Sequence, residues 1–134
     1  MKAIRIITAT LISVIMALSI SGCLGETTPV TVVLKNTTEY ELEQIIFQIP
    51  PTRGSYSPMN DLLTSEDESL KPNEEREFVI YMFKSDFGNE GWALVFVEGN
   101  EYVSGIFTVE GNGTNRFDIN CDDEMNFTLT AIRE

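Results

Sequence analysis

Trp92-Ala93-Leu94-Val95-Phe96-Val97-Glu98-Gly99-Asn100-Glu101-Tyr102-Val103-Ser104-Gly105-Ile106-Phe107-Thr108-Val109 is the stretch that decides the fold. Two runs rich in β-branched and aromatic residues flank Gly99-Asn100, a pair suited to a tight two-residue turn, so the segment reads as a β-hairpin. With Gly99-Asn100 at its centre, Glu98 faces Glu101, Val97 faces Tyr102, Phe96 faces Val103 and Trp92 faces Phe107. Because side chains alternate along a strand, Trp92, Leu94, Phe96, Val103, Phe107 and Val109 share one face, which is read as the core face. The opposite face carries Ala93, Val95, Val97, Tyr102, Ser104, Ile106 and Thr108, and is less polar than a solvated face should be. Either the rest of the chain covers it or a partner does.

Outward from the hairpin the pattern persists. Val30–Lys35, Tyr40–Ile49, Glu75–Phe83, Arg116–Cys121 and Met125–Ile132 are strand-like runs separated by Asn-, Gly- and Pro-rich turns, and no segment sustains a helical apolar stripe. In Tyr40–Ile49 the apolar set shifts phase from Tyr40 and Leu42 to Ile45, Phe47 and Ile49, which predicts a bulge near Glu43–Gln44. Pro50–Leu63, broken by Pro50, Pro51, Gly54 and Pro58, reads as the longest loop. About seven strands at this spacing predict an all-β chain: one antiparallel, immunoglobulin-like β-sandwich over residues 30–134. Leu70-Lys71-Pro72-Asn73-Glu74 resembles turns common in extracytoplasmic immunoglobulin-like domains.

The N-terminus is of another kind. Lys2 and Arg5 precede an apolar run from Ile6 to Ile20, and the run closes on Ile20-Ser21-Gly22-Cys23. This resembles a prokaryotic lipoprotein precursor with its lipobox. The resemblance implies that residues 1–22 are a cleaved signal peptide, that Cys23 becomes the lipidated first residue, and that residues 23–29 form a short tether. It further implies an extracytoplasmic protein held to the cell membrane by lipid. Cys121 would then lack an intrachain partner, and it shares the inward face of Phe117 and Ile119.

Composition narrows the chemistry. Acidic residues number 21 against 9 basic ones, for a formal net charge of −12, which disfavours nucleic acid and close approach to anionic headgroups. With no histidine, catalytic triads that use one and histidine-ligated metals are excluded, and no phosphate-binding glycine loop is present. The reading is therefore a non-enzymatic binding or assembly module with a protein partner near the membrane. Arg53 and Tyr56 on the long loop, with Val95, Val97, Tyr102 and Ile106 on the hairpin, are the expected interface. The alternatives are a calcium-binding sandwich, with Asp118, Asp122, Asp123 and Glu124 as ligands, and a carboxylate-dependent hydrolase. No cofactor other than Ca2+ is suggested. Sequons at Asn36, Asn112 and Asn126 are candidate glycosylation sites.

Overall fold

The computed structural model describes residues 27–52, 60–63 and 67–133. The signal segment and Cys23, the loop residues Arg53 and Tyr56, and Glu66 lie outside the described residues. The chain is an all-β sandwich. Nine strands appear among the described residues: β1 (Thr27–Asn36), β2 (Gln44–Gln48), β3 (Asn60–Leu63), β4 (Glu75–Phe83), β5 (Glu90–Val97), β6 (Asn100–Val103), β7 (Phe107–Thr108), β8 (Asn115–Cys121) and β9 (Phe127–Ala131). One sheet runs β4-β1-β8-β9 and the other β3-β2-β5-β6, with β7 pairing to β5. The expected all-antiparallel pairing has one exception: β1 and β8 run parallel.

The core between the sheets is built from alternating inward residues, as the period of two requires. From the first sheet come Val30, Val32, Leu34, Ile80, Met82, Phe117, Ile119, Phe127 and Leu129, and from the second Ile45, Phe47, Leu63, Ala93, Val95, Val97 and Phe107, with Val109 just past β7. Phe47, Phe107 and Phe117 meet at ring-centroid distances of 4.7 to 6.4 Å in tilted and edge-on geometries, the arrangement that aromatic quadrupoles favour.

The hairpin forms, but with its faces reversed from the reading above. Ala93, Val95 and Val97 are buried, while Trp92, Leu94 and Phe96 are half-buried on the outer face and Val103 is 60% exposed. The reason is volume. Phenylalanines from both sheets fill the middle of the sandwich, and small or β-branched side chains on β5 leave room for them where Trp92 and Phe96 would not. Trp92, turned outward, donates its indole N–H to Gln48 Oε1 at 2.8 Å. The turn is also one residue earlier than expected. Val97 pairs with Asn100, so Glu98 and Gly99 are the central residues, at φ 50° and 76°, both positive as a type I′ turn demands.

Further differences follow from local geometry. The return strand breaks at Ser104–Ile106, where Ser104 Oγ accepts the Ala93 N–H. That irregularity shifts the phase, so that Phe107 and Val109 point inward after Val103 has pointed out. Gly91 lies opposite Phe107, and a Cβ there would stand 2.7 Å from the Gln48 carbonyl oxygen. In Tyr40–Ile49 the change of phase is present, with Leu42, Ile45, Phe47 and Ile49 all buried, but it marks a change of partner. Leu42 bridges to Leu70, after which the chain enters β2 beside β5, and the register slip lies one step on, between Ile45 and Ile46. The end of the expected long loop is itself strand β3.

Candidate functional site

At one end of the sandwich, where β1 and β8 finish and β4 begins, the connecting turns are acidic. They carry Glu39, Glu41, Glu43, Asp67, Glu68, Glu74, Glu98, Asp122, Asp123 and Glu124. Around Tyr40 these turns converge: its phenol is pushed above its ordinary value, first by a hydrogen bond to Glu39 and that residue's charge, with smaller contributions that include Glu98. Burial, then Asp122, Glu39 and Asp123, push the Cys121 thiol up in the same direction. Cys121 is thus a protonated, half-buried thiol at neutral pH.

The expected calcium ligands do not assemble. Asp122 is spent on its own turn: Oδ1 accepts the backbone N–H groups of Glu124 at 2.9 Å and Asn126 at 2.8 Å, and Oδ2 accepts the Asn126 side-chain amide at 3.0 Å. These bonds, led by the Asn126 backbone, hold its carboxyl below the ordinary carboxylate range. Asp118 sits four residues back on the outer face of β8, and among the described residues no three carboxylate or cysteine side chains are grouped to hold a metal ion. Of Asp118, Asp122, Asp123 and Glu124, read as calcium ligands, the structure shows Asp122 organising an acidic turn.

Asn36 is likewise a structural residue. It is fully buried at the end of β1, donating to the carbonyls of Tyr40 at 2.7 Å and Leu70 at 2.9 Å while its Oδ1 accepts from the Thr38 N–H and hydroxyl. Both amide hydrogens are used and no face is open to a glycosyltransferase, so the sequon reading at Asn36 is overturned. Asn112 is exposed in the turn before β8, and Asn126 is exposed with its amide on Asp122.

The hairpin interface is corrected too. Val95 and Val97 are 0% and 3% exposed and belong to the core. Tyr102 is half-buried with its ring 5.5 Å from that of Phe127, and Ile106 alone of the four stands out, at 66% exposure. The second face of the hairpin is apolar because the other sheet covers it.

Two outer faces carry apolar side chains that the sequence reading did not place there. On the second sheet, Trp92, Leu94 and Phe96 line β5 between Gln44 and Gln48 of β2 and Val103 of β6. On the first, β4 presents Val79 and Tyr81, 53% and 54% exposed, with Pro29 of β1 opposite Tyr81 and Thr31 opposite Val79. The signal for the latter was Phe78-Val79-Ile80-Tyr81-Met82-Phe83: six consecutive large apolar residues are more than one buried face needs. Near Asn112 a shallow cleft of about 550 Å³ is lined by polar groups such as Glu110, Arg116 and Arg133.

No protein-family model and no curated protein matches this sequence. Among solved structures, the chain is similar to the NMR structure of a protein from Eubacterium rectale, at 16% identity and a TM-score of 0.50, over 82% of this chain and 92% of that one. At that identity the likeness is one of fold.

Proposed function

We propose that this chain is a lipid-anchored, extracytoplasmic, non-enzymatic binding or assembly module working at the membrane face. The observation that supports it most is where the fold starts. β1 begins at Thr27, earlier than the residue 30 expected, and lies between β4 and β8 inside its sheet. Only Leu24-Gly25-Glu26 then separates the lipobox cysteine from the first strand. Three residues reach about 10 Å at full extension, so a domain tethered there meets only what lies close to the membrane.

Metabolic labelling of the host with a tagged fatty acid tests the anchor: label on the wild type and none on Cys23→Ser is expected, and label retained by Cys23→Ser contradicts it. Crosslinking in intact cells tests the module. The expected result is a discrete protein adduct formed by the wild type and lost when Cys23→Ser releases it; adducts no different from those of an unrelated anchored domain would overturn the reading.

A further inference from the structure

The pairing of β1 with β4 arranges its outer face as a gradient. Starting at the end where the chain enters the fold, the facing pairs are Thr27 with Phe83, Pro29 with Tyr81, Thr31 with Val79, Val33 with Glu77 and Lys35 with Glu75. The half nearest the entry point is apolar, with Tyr81 and Val79 more than half exposed; the half beyond it is charged. At Tyr81 the edge-facing backbone is already used: Asn60 donates its side-chain amide to the Tyr81 carbonyl at 3.3 Å and accepts the Tyr81 N–H at 3.2 Å.

The geometry points to the lipid bilayer itself as the occupant of this patch: the Pro29, Val79 and Tyr81 surface rests on the membrane and fixes which way the domain faces. This rests on the lipid anchor proposed above. Three observations carry it. The tether leaves at Thr27, the first residue of the same face, and is too short to lift the domain clear of the headgroups. An exposed tyrosine beside aliphatic side chains is the composition that settles at a membrane–water interface, with Lys84 immediately beyond β4 suited to phosphate.

The third observation is charge. A net −12 argues against contact with a bilayer only if the charge is spread evenly, and it is not. The acidic turns stand at the far end of β1, about 30 Å away at ~3.3 Å per strand residue. Screening at physiological salt acts over about 8 Å, so the turn carboxylates are shielded from the patch, and Glu77, two residues from Val79 on the same face, is the carboxylate that lies close to it.

The test uses the full lipidated chain in phosphatidylcholine vesicles, with Cys121→Ser removing the native thiol and a nitroxide placed on Val79→Cys or, at the far pole, on Glu98→Cys. Collision with oxygen and with a water-soluble nickel chelate reports depth. The expected result is a severalfold higher oxygen-to-nickel ratio at position 79 in vesicles than in detergent, with position 98 unchanged. A ratio at 79 equal to that at 98 in vesicles overturns the docking while leaving the anchor intact. The mass of the Cys23 peptide separates the two failures: a Cys23 peptide without lipid, on a chain that stays out of the vesicle fraction, overturns the anchor and the docking together.

Discussion

Asn36 shows how a single polar side chain closes this fold. Its four hydrogen bonds tie the end of β1 to Tyr40 and to the Leu70 bridge on the far side of a loop. Removing it takes one donor from each of two carbonyls and leaves the buried Thr38 N–H without its acceptor, so Asn36→Ala is expected to cost roughly 3 kcal/mol in a denaturant titration. The same peptide should carry no glycan when the protein is expressed in a glycosylating host, whereas Asn112 remains open to modification. Asp122 makes a pH prediction. Its hydrogen bonds depress the folded-state pKa, so the unfolded chain takes up the proton more readily; this contribution is complete at neutral pH and is lost as pH falls below about 4. Wild type should therefore melt above Asp122→Asn at pH 7, and the gap should narrow at pH 3. A gap that widens toward acid would contradict the assignment. The sequence marked Asn36 and Asp122 as notable but attached the wrong roles, because motif spacing says nothing about which way a side chain faces.

At the scale of the strands, the reversal of the hairpin gives a clean comparison. Val97→Asp buries a charge among Phe-rich packing and is expected to cost about 4 kcal/mol or more. Val103→Asp, on the exposed outer face, should stay within about 0.5 kcal/mol of wild type. The opposite ordering would restore the other face as core. Gly99→Ala tests the turn, since an alanine at φ 76° loses about 1 kcal/mol relative to glycine. Strand existence was legible here because alternation is a local signal; in β9 Phe127 and Leu129 point in, while Ala131 at its end is exposed. Which face of β5 is core was not legible. Both faces are apolar, and the choice depends on phenylalanines from strands distant in sequence, whose pairing no local pattern encodes. The same holds for the parallel contact of β1 with β8 and for β3, four residues whose strand character comes from pairing with β2.

For the molecule as a whole, the sandwich was readable from strand count and turn spacing, and its polarity was not. Net charge is a sum, and only the topology shows that Glu39, Glu98 and Asp122 lie at one end while the chain enters at the other. That arrangement gives an acidic protein an apolar patch near the end where its chain enters and concentrates acidic turns at the other. The proposed membrane docking depends on Cys23 as the point of attachment. Intact mass spectrometry of the protein extracted from host membranes is the direct measurement: a chain beginning at Cys23 with a diacylglycerol mass on that residue is predicted. A membrane-extracted chain that retains residues 1–22, or one that begins beyond Cys23 without lipid, would contradict it.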